Sequence, residues 1–312
     1  MKNQNFGFEI EMTGISRETA AKAIAAHFGT TADYIGGCYG AWEVADPEGK
    51  TWKIMSDASI SKERKTGRGN YSPTDDKEYS VEIVSPILQY DEIEKLQEVV
   101  RQARHAGAKV NTSCGIHIHV DAAAHTAKTL RNVLGIMYAK EDILFKALQV
   151  GDGRVSYCKK SREDVLKAAR ADKNLTMDSL RDIWYGEKNS EHRALRHYDE
   201  SRYHALNLHA TFTKKTVEFR LFNSTLHAGE VKAYVHLALA INAQGLKQKS
   251  TQLTKTASDN EKFTFRTWLL RLGLNGDEYG NTRMHLLKHL EGNAAWRYEP
   301  ACYPTHPMNA AA

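Results

Sequence analysis

Four short segments of this 312-residue chain share one peculiarity: apolar residues alternate with Glu, His or Arg. They read FGFEIEM at 6–12, SVEIVS at 80–85, GIHIHVD at 115–121 and TVEFRLF at 216–222. Strict alternation is the period of a β-strand, whose successive side chains point to opposite faces of a sheet. Phe6, Phe8, Ile10 and Met12 therefore share one face of the first strand. Glu9 and Glu11 share the other, about 6–7 Å apart. By the same rule Val81 and Ile83 oppose Glu82, and Ile116, Ile118 and Val120 oppose His117, His119 and Asp121. In the fourth segment Val217, Phe219 and Leu221 oppose Glu218 and Arg220.

A solvated sheet face usually mixes Thr, Ser, Lys, Gln and Glu. The bias here is toward the residues that bind metals and phosphates. If the strands are neighbours, their carboxylates repel one another strongly without a counter-ion. A divalent cation is the natural one, and oxygen-rich ligation with one imidazole suits Mg²⁺ or Mn²⁺ better than Zn²⁺. Arg220 beside them points to a phosphate-bearing ligand. GxxxxGK[ST], GxGxxG after a strand, GxSxG and HExxH are all absent. Metal ions and Arg, not a backbone nest, would then have to hold the phosphates.

Between these strands the sequence reads as helices. One follows the first strand, with Ser16 as N-cap and Gly29 as its stop; one begins near Asp91 and Glu94 as a capping box and ends at Gly107. A third spans Thr126 to about Gln149, and a fourth covers GEVKAYVHLALAINAQGL. A hairpin turns at Asp46-Pro47-Glu48-Gly49, and RYHALNLHA and KTVEFRLFN read as adjacent strands joined near Thr213-Lys214-Lys215. Residues 58–78 read as a long loop whose Lys62, Arg64, Lys65 and Arg68 make it a candidate lid or reader of an acidic substrate. Trp42, Trp52 and Trp184 read as packing residues, and Cys114 as a small buried one. Two further helical patterns close the chain, the first capped at Ser258 with Glu261, followed by a frayed PMNAAA tail.

There is no apolar run of eighteen residues, and no signal-peptide core precedes the first strand. Cys38, Cys114, Cys158 and Cys302 lie far apart, without the paired spacing of a zinc ribbon or disulfide framework. These features predict a cytoplasmic protein. A net charge of +5 is mild for this length and makes nucleic acid an unlikely partner.

In order along the chain, FGFEIEM, WKIMSDASI, EIVSP, CGIHIHVD, RYHALNL and VEFRLFNST resemble the motifs of the amidoligase family. That family lies within the carboxylate–amine ligase superfamily of glutamate–cysteine ligase and glutamine synthetase. The resemblance covers residues 6 to 226. It implies an α+β fold: a curved, mainly antiparallel sheet forming a funnel, with helices on its convex face. It implies ATP and two to three Mg²⁺ or Mn²⁺ ions. Carried over, Glu9, Glu11, Asp57, Glu82, His117 and Glu218 match metal ligands, and Arg220 matches the residue contacting the transferring phosphoryl group. Glu218 and Arg220 are thus the expected catalytic pair. Arg202, Tyr203 and Asn207 match a motif for nucleotide or substrate contact, and His119 takes a substrate or supporting role. Unlike in glutamate–cysteine ligases, the basic loop separates Asp57 from Glu82. A catalytic domain at 1–250 with a helical extension at 251–312 packed on it follows.

The implied reaction is ATP-dependent amide formation from carboxylate and amine substrates, free or within a peptide or protein, through an acyl phosphate with release of ADP and phosphate. Two alternatives use the same residues differently. A metal-dependent phosphohydrolase or ATPase would employ the Glu/His/Arg cup with water, and a basic nucleic-acid-binding module would not need the cup.

Overall fold

Each alternating strand needs an apolar partner for one face only, and helices supply it. In the computed structural model, which describes residues 1–186, 190–251 and 253–298, eight strands form one open sheet. They are β1 (Phe6–Met12), β2 (Ala32–Gly36), β3 (Ala41–Ala45), β4 (Thr51–Met55), β7 (Val81–Val84), β8 (Gly115–Asp121), β9 (Leu206–Asn207) and β10 (Thr216–Asn223). Their order is β2-β3-β4-β7-β1-β8-β10-β9, and every neighbouring pair is antiparallel. Three of the four alternating segments, as β7, β1 and β8, are consecutive, and the fourth, β10, comes next.

The apolar face of these strands is sealed by α1 (Arg17–Phe28), α2 (Ile93–His105), α3 (Ala127–Ala147) and α9 (Ala228–Lys247). Phe6, Phe8, Ile10, Met12, Ile83, Ile116, Ile118, Val217 and Phe219 are all essentially inaccessible within one continuous core. Ser16 caps α1 by accepting from the Thr19 N–H, and Gly29 ends it at φ +69°, a left-handed conformation that favours glycine. The later helices α10 (Glu261–Arg271) and α11 (Gly280–Leu287) add Phe265, Leu269 and Leu286 to that same core. Trp52 and Trp184 are fully buried, Trp42 packs half-buried, and Cys114 is buried. Cys38, Cys114 and Cys158 are free thiols; Cys302 and the PMNAAA tail lie outside the described residues. No helix among the described residues is long and apolar enough to cross a membrane.

Several local expectations are corrected. The cap before α2 lies two residues earlier than Asp91 and Glu94: the Gln89 N–H donates to Glu92 Oε2 at 2.9 Å. Asn260, not Ser258, caps α10, its Oδ1 accepting from the Phe263 N–H at 3.0 Å. The segment RYHALNLHA is not one strand. Only Leu206–Asn207 pairs, because the Asn207 side chain accepts from the His209 N–H at 2.8 Å and starts α8 (His209–Thr213). The 58–78 segment holds its own two-stranded ribbon, β5 (Glu63–Lys65) with β6 (Tyr71–Pro73). That ribbon is pinned by the Glu63 carbonyl, which accepts from the Gly14 N–H at 2.9 Å and from Thr13 Oγ1 at 3.0 Å.

The largest departure is a β-bulge. Phe219 pairs with Ile118, yet Phe222 rather than Leu221 pairs with Ile116. One extra residue is inserted beyond Arg220, and Phe222 stacks on Tyr234 of α9 at 4.7 Å. Leu221 is in the core as alternation predicts, and the bulge brings Phe222 there too, breaking the period-two rule on one strand only.

Candidate active site

Register decides which side chains meet. Glu11 stands directly opposite Glu82, Glu9 opposite His117, and His119 opposite Glu218, which in turn opposes Asn207. Seven residues from five strands thus become a contiguous patch on one sheet face through backbone pairing alone. His117 sits at its centre. Its Nδ1 lies 3.2 Å from Glu9 Oε2 and 3.9 Å from Glu218 Oε1, while its Nε2 lies 3.8 Å from Glu11 Oε1. Two groups therefore have donor atoms close enough to share one cation each: Glu9, His117 and Glu218, and Glu11, Glu82 and His117.

Around these groups the protein supplies supports. Arg220 pairs with Glu218 Oε1, and Asn207 Nδ2 donates to Glu218 Oε2 at 2.6 Å. The Gly115 N–H donates to Glu11 Oε2 at 2.6 Å. His119 Nε2 lies 3.2 Å from Glu9 Oε1, and its Nδ1 meets Thr216 Oγ1 at 3.0 Å. His119 therefore positions Glu9; it lines neither of the adjoining cavities.

The electrostatics of the patch are unbalanced. Burial, then Asp57, push the Glu11 carboxyl up to about 7. Burial, then Glu9, Glu11 and Asp57, hold Glu82 well above the usual carboxylate range. Burial would also raise Glu218, but Arg220 and the two imidazoles outweigh it and hold the carboxyl far below its ordinary value. Glu9 is likewise held low by His119 and His117 against the burial effect. Burial, reinforced by the Arg220 charge, draws His117 down to about 4. The central imidazole is thus neutral and able to ligate. Like charges directly opposite one another in a sheet are destabilising, and the Glu11–Glu82 pair is that arrangement. Hard oxygen donors with one neutral imidazole fit Mg²⁺ or Mn²⁺.

Two adjoining cavities of about 280 and 290 Å³ open on this patch. The first is lined by Glu9, Glu82, His117, Asn207, Glu218 and Lys214, among others. The second is lined by Glu11, Arg154, Arg220, Tyr157, Tyr203 and Ser59, among others. Asp57, Arg202 and His117 border both. The Asp57 carboxylate accepts from Ser59 N–H at 2.7 Å, which ties it into a local turn beside Glu11 and Glu82 rather than within either cation group. Lys62, Arg64, Lys65 and Arg68 line neither cavity, since the ribbon that carries them is pinned elsewhere.

Four contributors escaped the sequence reading. Lys214, in the turn before β10, places Nζ 3.7 Å from Glu9 Oε1. Tyr39 and Tyr198 border both cavities and share a hydroxyl–hydroxyl hydrogen bond of 2.7 Å. Arg154, from α4 (Asp152–Val155), is 4% exposed, and its guanidinium stands on the polar face beside β8. Only one signal pointed there: Gly115 shares the parity of His117 and His119 but has no side chain to place on that face.

No curated protein matches the chain. A family model described as "Putative amidoligase enzyme" matches residues 2–242, which contain every strand of the large sheet and both cation groups. The chain belongs to that amidoligase family.

Proposed function

We propose that this protein is an ATP-dependent carboxylate–amine ligase. The observation that carries this reading is the pair of buried Glu/His groups sharing His117, with the Arg220–Glu218 ion pair at their edge. Glu9, His117 and Glu218 would hold one divalent cation, Glu11 and Glu82 a second, with Asp57 the candidate for a third. When bound, such ions screen the triphosphate so that a carboxylate anion can approach it.

The chain's own groups then have distinct tasks. Asn207 and Arg220 hold Glu218 in one orientation, and the Gly115 N–H does the same for Glu11. Rigid strands fix these positions better than loops would. Arg220 offers a buried guanidinium to charge developing on the γ-phosphoryl oxygens. Arg202, Tyr203 and Asn207 sit where nucleotide or substrate would contact them. A carboxylate oxygen of the acid attacks the γ-phosphorus, the bond to the β-phosphate oxygen breaks, and ADP leaves. The amine then attacks the acyl carbon, phosphate departs, and the amine nitrogen gives up a proton. In this reading the sheet floors a funnel, residues 1–250 form the catalytic unit, and α10 and α11 of the 251–312 extension buttress it.

Hydroxylamine trapping tests the proposal. With ATP, Mg²⁺ and a carboxylate panel, the expected products are ADP and a hydroxamate. ADP without hydroxamate and without amine dependence would favour the phosphohydrolase alternative. AMP with pyrophosphate would overturn phosphoryl activation. Salt-sensitive nucleic-acid affinity that survives Glu218→Gln, with no turnover, would favour the binding-module alternative.

A further inference from the structure

The open sheet has two edges, and they differ. β9 is two residues long and is followed at once by α8, and so short an edge resists pairing with another chain. β2, at the opposite end, has five residues, one charge at Asp33, and no Lys, Arg or Pro. Among the described residues, the backbone of 32–36 makes no hydrogen bond outside its pairing with β3. Tyr34 and Ile35 are 60% and 52% exposed, and a bulge in that pairing leaves Ile35 with no residue opposite it. Free strand groups flanked by exposed apolar side chains are what an added strand needs: main-chain partners for affinity and side-chain contacts for choice.

This edge is continuous with the candidate active site. Three residues beyond β2, Tyr39 borders both cavities, and its carbonyl accepts from the Ser56 N–H at 3.1 Å, next to Asp57. Tyr39, Tyr157 and Tyr198 are all exposed where they border a cavity. Five of the twelve large apolar side chains exposed among the described residues therefore lie on β2 or at the cavity margins. An apolar, aromatic approach to a charged cup suits a substrate that brings more than its reacting group.

We propose that β2 docks an extended segment of a peptide or protein by strand addition, and that the N-terminal end of that same chain is the amine substrate. Every pairing in the large sheet is antiparallel. A strand added to β2 in the same sense runs opposite to it, so its N-terminal end emerges at the Tyr39 turn. Met55 and Glu82, which pair with each other, lie at that end of the sheet. Four strand spacings, roughly 20 Å, separate the added strand from β7 and Glu82, and about six extended residues span that distance. The identity of the reacting group rests on the ligase reading; the docking does not.

An array of random peptides about twelve residues long, probed without metal or nucleotide, tests it. Sequences that bind should be rich in β-branched and aromatic residues. An N-methyl scan of a bound sequence then locates its paired segment. N-methylation of alternate amides there, and Tyr34→Lys/Ile35→Lys in the protein, should each weaken binding about tenfold or more. Both substituted side chains are exposed, so that variant should keep the wild-type circular dichroism and melting temperature. Direction is read by alkylation in a Cys302→Ser background. A bromoacetyl group just N-terminal to the paired segment should label the exposed Cys38, and the same group just C-terminal to it should not. No peptide that separates wild type from variant, binding indifferent to N-methylation, or labelling only from the C-terminal side overturns the proposal. So does a dimer in sedimentation that the variant abolishes, which would assign the edge to a second copy of this chain. Hydroxamate formation is scored separately. Peptide binding without ATP cleavage would fail the ligase reading alone, and hydroxamate from free acids without peptide binding would fail the docking alone.

Discussion

The two faces of the central sheet are equally buried and chemically opposite. Phe219 and Glu218 are consecutive residues of β10, exposed by 0% and 4%. Phe219 joins the helix-covered core, where burial itself is the stabilising force. Glu218 joins a cluster in which burial opposes ionisation, and Arg220, His119 and His117 have to overcome it. A protein selected for stability alone would have little reason to keep the second face. The contrast locates function where the physics is unfavourable without a ligand.

Substituting across that one peptide bond gives the largest effects. Phe219→Ala removes a fully buried ring and should cost about 3–5 kcal/mol of stability, measured as a lower denaturant midpoint. Glu218→Gln should keep the fold, because the amide oxygen can still accept from Arg220, at a cost in stability for the buried guanidinium it leaves without a carboxylate. ATP turnover should nevertheless fall by about a hundredfold or more. Full activity in Glu218→Gln would mean that the charged face has been assigned the wrong task.

The faces should also respond differently to metal. Only the polar face gains from a cation, which binds the native arrangement and not the unfolded chain. A divalent ion at about 100 times its Kd should add about 2.7 kcal/mol, seen as a rise in melting temperature with Mg²⁺ or Mn²⁺. In Glu11→Gln/Glu82→Gln that rise should shrink, while metal-free stability improves because opposed carboxylates are relieved. An unchanged melting temperature in the wild type would remove the cation cup from consideration.

Most of this contrast was legible in the sequence, because period-two alternation encodes both faces at once. Glu9, Glu11, Glu82, His117, Glu218 and Arg220 all fell on one face as expected. What could not be read was anything that violates the period or crosses long distances. The bulge put Phe222 opposite Ile116 and into the core beside Leu221, with no local composition signal. Asn207 ended a strand by bonding its own neighbour's backbone, so an apparently long strand became two residues and a helix. Arg154 reaches the site from a short helix far along the chain from Gly115, and a glycine announces only that space exists.

pH separates the faces more gently. In the metal-free protein Glu11 is raised from 4.5 to about 7, and Glu82 is raised well above its ordinary value. The native state then binds more protons than the unfolded chain, so stability falls as pH rises through this range. His117 works the other way: lowered from 6.5 to about 4, it makes stability rise with pH, but only up to 6.5. Between pH 6.5 and about 7.5 the carboxylates act with little opposition. Chelated protein should lose stability across that window, and saturating Mg²⁺ should flatten the slope. A stability that climbs through the window without metal would mean that the opposed carboxylates are not strained.

The smallest effect belongs to the ribbon of β5 and β6. As a sequence, its Lys62, Arg64, Lys65 and Arg68 suggested a lid over the acid substrate. Arg64, Lys65 and Arg68 are exposed, none of the four borders either cavity, and no carboxylate pairs with them among the described residues. The ribbon is anchored instead through Glu63, whose carboxylate meets Lys109 Nζ at 2.7 Å and Asn111 Nδ2 at 2.9 Å. Tyr71 adds a hydrogen bond of 3.0 Å to the Gly107 carbonyl. Replacing the four basic residues together with Gln should therefore change stability by no more than about 0.5 kcal/mol. It should leave the Mg²⁺-induced rise in melting temperature intact, and the apparent affinity for the acid should fall only as far as long-range attraction contributes. That residual part is recognisable because about 0.15 M salt screens charges beyond roughly 8 Å. A loss that persists at high salt would show direct contact, and would return the ribbon to the role of a lid that closes on bound substrate.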